Sequence, residues 1–111
     1  MAERLTSQML ASALVRRAGQ EGGFATVLRR GDDVAGTILL ACLENGADCG
    51  LFERMPDYEG GYRLAHCGPA LGAPPEEAAQ YLERRVRSDP DIWIIELDIP
   101  DAERFAAEII C

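Results

Sequence analysis

Four cysteines (Cys42, Cys49, Cys67, Cys111), the lone His66 and eleven arginines carry the most pointed chemistry in this sequence. Thiolates act as nucleophiles, redox partners or metal ligands, an imidazole moves protons, and guanidinium forks grip carboxylates and phosphates. No Cys-x-x-Cys pair occurs, so the usual zinc spacing is missing. Asn45-Gly46 between two apolar runs predicts a two-residue hairpin loop, because both loop positions need positive φ. Counting outward pairs Glu44 with Ala47, Leu43 with Asp48, and Cys42 with Cys49. A hydrogen-bonded antiparallel pair stands about 5.5 Å apart at Cα, which a disulfide can bridge. A cross-strand thiol pair Cys42/Cys49 is therefore one expectation. Buried free thiols acting as small hydrophobes are the other, and a reducing cytoplasm favours them. A metal site drawing on Cys42, Cys49 and Cys67 or His66 is opposed by strand geometry: His66 and Cys67 are adjacent and point to opposite faces. The pattern calls for no metal and no cofactor.

The same divergence argues against a Cys67 nucleophile served by His66. Cys49 beside His66 on a neighbouring strand keeps a small-enzyme reading open, with a cleft near His66 and the acidic 56–61 loop. No Gly-x-Ser-x-Gly, His-Glu-x-x-His or phosphate-loop motif is present. Every basic residue is Arg. Schiff-base chemistry and a lysine general base are thereby excluded.

Arg16, Arg17, Arg29 and Arg30 form two pairs, one near the end of a helix and one at the end of the following strand. A short glycine turn joins those elements, so the pairs can approach each other as a patch for an anion or an acidic partner. The plainer alternative is neutralisation by nearby Asp32, Asp33, Asp89 and Asp91. Charge is uneven: residues 1–30 carry +3 and residues 31–111 carry −11. The net charge of −8 makes a nucleic-acid binder acting through the four arginines the weakest reading, since phosphate affinity needs a basic surface.

The elements that must hold these residues follow from periodicity. Thr6 or Ser7 caps a helix to about Ala18, with Gly19 as its stop. Strands are predicted at Phe24 to Leu28, Ala35 to Leu43, Asp48 to Arg54, and Tyr62 to Cys67. Pro75-Glu76-Glu77 opens a second helix that Asp89-Pro90 ends. A fifth strand covers Asp91 to Asp98, and Pro100-Asp101 starts a last helix striped with Ala102, Phe105, Ala106, Ile109 and Ile110. This is an α+β chain in the order α-β-β-β-β-α-β-α: one domain over 1–111, with a five-stranded, mainly antiparallel sheet and three helices. The first four strands read as a meander.

Ile92-Trp93-Ile94-Ile95 and Thr37 to Leu43 run apolar without alternation, so both faces of those strands are covered. If all three helices pack on one face, the other leaves an apolar patch that includes Leu39, Phe52 and Trp93. Such patches mark association surfaces, and a two-fold homodimer is the default outcome. Helices divided between both faces would leave a monomer. No secretory signal and no apolar run of membrane-spanning length is seen, so the expectation is a cytoplasmic protein.

Three segments are distinctive: Leu14-Val15-Arg16-Arg17; Gly22 to Asp32 (GGFATVLRRGD) with Ala35-Gly36; and Ser88-Asp89-Pro90-Asp91-Ile92-Trp93-Ile94-Ile95-Glu96. In them the chain resembles a family of short alphaproteobacterial proteins known only as a domain of unknown function, number 1491 in that series. The resemblance implies a small bacterial cytoplasmic protein. It supplies no activity, cofactor or catalytic residue.

Overall fold

The structure, a computed structural model, describes residues 5–111; Glu3 and Arg4, which enter the charge count, lie outside them. The elements are α1 (Ser7–Gln20), β1 (Phe24–Arg29), β2 (Ile38–Glu44), β3 (Ala47–Pro56), β4 (Tyr62–Cys67), α2 (Pro75–Ser88), β5 (Trp93–Asp98) and α3 (Ala102–Ile110). The five strands form one sheet in the order β1-β5-β2-β3-β4. Only β2 and β5 run parallel; the other neighbours are antiparallel.

The doubly apolar strand sits inside the sheet, between β1 and β2, and Ile92 to Ile95 and Leu97 are buried. This corrects the expected four-strand meander, which holds only for β2–β3–β4. The chain leaves β1, crosses the end of β5 through residues 30–37, and enters β2 on its far side. That crossing hugs the backbone ahead of β5. Asp32 N–H donates to the Asp91 carbonyl at 2.9 Å. Gly31 and Gly36 lie so close to the same carbonyl that neither position has room for a Cβ.

Side-chain alternation along the strands sorts the core into two layers. Ile38, Leu40, Cys42, Phe52, Trp93, Ile95 and Leu97 face α1 and α3. Leu39, Leu51 and Ile92 face α2 through Ala78, Tyr81, Leu82 and Val86. The helices thus divide two to one. The expected open face of Leu39, Phe52 and Trp93 is not there: Leu39 and the other two point to opposite sides, and their exposures are 0 %, 8 % and 2 %.

The seats of the two layers differ. α1 buries Ser7, Leu10, Ala11, Leu14 and Ala18, whereas no residue of α2 is fully buried. α2 is instead tied down by a part-buried polar cluster. One Arg85 nitrogen (Nη1) donates to Glu53 at 2.8 Å and to the Tyr81 hydroxyl at 2.7 Å. On the other face Arg54 Nε donates to the Ile110 carbonyl at 2.6 Å, serving one of the carbonyls that the end of α3 leaves free.

Two local expectations shift. α1 continues through Gly19 to Gln20 and stops where Gly22 takes φ +82° and Gly23 N–H reaches the Ala18 carbonyl at 2.8 Å. The Asn45-Gly46 loop forms as expected, with φ of 51° and 82°. Asp98 reaches over from β5 to accept from both loop amides at 2.8 and 2.9 Å. One step later a β-bulge intervenes. Leu43 pairs with Asp48, but Cys42 pairs with Gly50. Gly50 at φ +103° absorbs the extra residue, and the Asp48 side chain accepts its N–H at 3.0 Å. Cys49 is that extra residue, so Cys42 and Cys49 are not a cross-strand pair.

Candidate functional site

The 30–37 crossing joins three parts of the molecule. Asp33 and Val34 carbonyls accept the Gln8 and Ser7 amides at 2.9 and 3.1 Å, so the loop serves the free N–H groups that begin α1. Ser7 Oγ donates to the Gly36 carbonyl at 2.6 Å. Trp93 Nε1 donates to the Asp32 carbonyl at 2.7 Å. Asp32 itself accepts from Val34 and Ala35 amides, which folds the loop into a tight turn. Arg30, at the head of the loop, stands over the Trp93 ring at 5.5 Å.

Beside this junction a cleft of about 360 Å³ opens between α1 and the edge strand β1. Gln8, Ser12 and Arg16, spaced four apart, line one wall because residues four apart share a helix face. Val27 and Arg30 form the opposite wall, with Ala11, Val15 and the Trp93 ring below. Arg30 Nε and one of its terminal nitrogens both hold a single oxygen of Asp33, at 3.1 and 2.9 Å. Among the described residues Arg16 has neither an ion pair nor a hydrogen-bond acceptor.

The four expected arginines therefore do not make one patch. Arg16 and Arg30 line one cleft. Arg17 is taken by Glu21 at 3.2 Å, one helical turn on. Arg29 pairs in register with Ile94, which puts it on the α2 side of the sheet, and there it donates to the Pro90 carbonyl at 2.8 Å.

The thiols and the imidazole do not converge. Cys42 is buried under α3, Cys49 and Cys111 are exposed, and all four cysteines are free. Burial pushes the Cys42 thiol up to about 12, with smaller pushes from Cys49, Glu103 and Asp48. Burial also raises Cys67, against opposing contacts from Tyr81 and Arg85. Raised thiols are poor nucleophiles near neutral pH. His66 packs edge-on against Phe52 with ring centroids 5.6 Å apart. It lies near the opposite end of β4 from the 56–61 loop, which closes as its own turn through Asp57 N–H to the Gly61 carbonyl at 3.0 Å. His66 and that loop therefore do not share one cleft. Among the described residues no group of three His, Cys, Asp or Glu is placed to hold a metal ion, and no helix is long and apolar enough to cross a membrane.

The family model described as "Protein of unknown function (DUF1491)" matches residues 5–107. The chain belongs to the DUF1491 family. A crystal structure of a DUF1491 protein from Caulobacter crescentus CB15 is similar at 33% identity and a TM-score of 0.78, over 92% of this chain and 94% of that one. An NMR structure of a DUF1491 protein from the same organism is 32% identical with a TM-score of 0.75, covering 94% of each chain. The solution structure of a protein from A. tumefaciens is 31% identical with a TM-score of 0.67, over 87% of each chain. No curated protein matches. Parts of two of the three segments that carry the DUF1491 resemblance, Gly31-Asp32 with Ala35-Gly36 and Asp89 to Trp93, meet in space at the 30–37 junction. The glycines and Trp93 have structural work there. Arg30, exposed on the Trp93 ring, has less.

The residues to which the sequence assigned no site role are Gln8, Ala11, Ser12, Val15 and Val27 at the cleft, and Phe24 and Leu28 on β1. The four-residue spacing of Gln8, Ser12 and Arg16 was a usable signal. The edge position of β1 was not, because it depends on where β5 inserts.

Proposed function

We propose that this protein is a non-catalytic interaction module of the cytoplasm whose first partner is a second copy of itself, bound through the edge strand β1. The observation that carries this reading is the exposure of large apolar side chains on a strand whose outer edge is unpaired: Phe24 at 73 % and Leu28 at 53 %, with Val27 also exposed. An edge strand offers unpaired N–H and C=O groups, to which a further strand can add. A two-fold axis at Thr26 brings Phe24 of one copy beside the bulge at Leu28 of the other. It also brings the Arg29–Arg30 end of each copy beside the Glu21 and Asp98 end of its mate, so apolar cover and charge agree. The lack of any convergent thiol, imidazole or paired-acid cleft among the described residues favours binding over catalysis.

Light scattering on a size-exclusion column tests it. The expected mass at high concentration is twice the 12.1 kDa of the chain, falling on dilution because a strand of six residues makes a small interface. Phe24→Asp, at an exposed position that the fold does not need, is expected to hold the protein at the single-chain mass. A wild-type protein that remains single-chain at high concentration overturns the reading.

A further inference from the structure

We propose that the cleft between α1 and β1 binds a small organic anion, one carboxylate or phosphate group carried on a planar apolar ring. Two arginines from different elements line one space. Arg16 comes from α1 and Arg30 from the end of β1, and Gln8 and Ser12 add neutral polar groups on the same wall. Like charges are not brought together on a chain of net charge −8 without cost, and an anion between them removes that cost. Among the described residues Arg16 has no partner, while Arg30 spends two donors on one exposed Asp33 oxygen. An exposed ion pair of that kind contributes little and yields to a better-placed anion.

The rest of the lining sets the other half of the ligand. Val15 and Val27 expose apolar surface in the cleft, over the buried Ala11 and Trp93, and this apolar floor favours a flat ring below the charged rim. The volume of about 360 Å³ is at the small end for ligand pockets, which fits one ring with one anionic group and is tight for a nucleotide. The inference goes beyond self-association, since the cleft is built from α1, β1 and β5 of a single copy.

Trp93 is the only tryptophan, so its indole N–H gives one cross-peak in a ¹⁵N spectrum and reports on the cleft directly. Benzoate and phenyl phosphate are the probes; phenol and inorganic phosphate are the controls. The expected result is a saturable shift of the indole peak and of the Gln8–Arg16 amides with at least one ring anion, and none with either control. Benzoate binding more tightly indicates a carboxylate ligand, and phenyl phosphate binding more tightly indicates a phosphate. Arg16→Gln and Arg30→Gln are each expected to weaken binding about tenfold or more. Ser12→Glu, which puts a like charge on the same wall, is expected to do so with both arginines intact. Phe24→Asp is expected to bind unchanged, which separates this site from self-association. No saturation by about 10 mM of either ring anion overturns the proposal, as does an affinity unchanged in the double arginine variant or inorganic phosphate matching phenyl phosphate.

Discussion

Gly36→Ala is the sharpest perturbation of the junction that builds the cleft. Gly36 has no unusual φ, so the substitution strains no dihedral and its whole effect is spatial. The new methyl group would sit inside the contact distance of the Asp91 carbonyl oxygen and 2.9 Å from Trp93 Cδ1. Backbone and a buried indole cannot swing aside as a flexible side chain does, so the loop must lift by about 1 Å. Three hydrogen bonds cross the surface that opens: Asp32 N–H to the Asp91 carbonyl at 2.9 Å, Trp93 Nε1 to the Asp32 carbonyl at 2.7 Å, and Ser7 Oγ to the Gly36 carbonyl at 2.6 Å. At about 1 kcal/mol each their loss costs about 3 kcal/mol. The stiffer unfolded chain that alanine brings offsets about 0.5 to 1 kcal/mol of that. The expected net loss is about 2 to 2.5 kcal/mol, a fall in Tm on the order of 10 to 15 °C for a domain of this size. Chemical denaturation followed by far-ultraviolet circular dichroism and by Trp93 emission measures it. Gly19→Ala is the internal control: it lies inside α1 with nothing near its Cβ position and is expected to stabilise by about 0.5 to 1 kcal/mol. A Gly36→Ala protein within about 0.5 kcal/mol of wild type would show that the Asp91 carbonyl and Trp93 leave room for a Cβ at this position.

Cys42 gives a pH dependence of definite sign. Its thiol is raised from 9.0 to about 12 in the folded protein, so the folded state favours the neutral form. The stability from this source is full below pH 9 and is lost as pH rises toward 12, by up to a few kcal/mol. Cys42→Ala is expected to flatten that decline relative to wild type in unfolding curves at pH 8 and above; an equally steep decline would show that Cys42 is not its source. Native thiol titration is expected to label Cys49 and Cys111 fast and Cys42 only on unfolding, and a rapidly labelled Cys42 would contradict its burial. On the second face, Glu53→Gln removes the charge that anchors Arg85 and is expected to loosen α2 by about 1 to 2 kcal/mol. Hydrogen exchange of α2 amides should then speed up roughly tenfold with α1 unaffected, and equal acceleration in both helices would argue against a local anchor.

The fold was largely legible. The double-sided apolar run of β5 gave its central place, the Asn45-Gly46 pair gave the hairpin, and each helix announced itself by capping or stripe. What stayed hidden depends on insertions and half-turns. A single bulge at Cys49, allowed by Gly50, undid the thiol pairing that a regular ladder requires. Leu39 and Phe52 carry no sign in their own strands of which helix covers them, because any helix with an apolar stripe would serve. The arginines were visible as a set. Their separation into Arg16 with Arg30, Arg17 on Glu21, and Arg29 on the α2 side follows from strand parity and helix phase at the turn. The exposed edge of β1 required knowing that β5, distant in sequence, takes one side of that strand and leaves the other bare.

A dilution series of ¹⁵N spectra tests the central claim, that β1 is the contact edge, residue by residue. Concentration-dependent shifts are expected only at the amides of Phe24–Arg29 and their immediate neighbours, with the opposite edge strand β4 unmoved. Shifts at Tyr62–Cys67 or on α2 instead, or a spectrum that does not change with concentration, would contradict it.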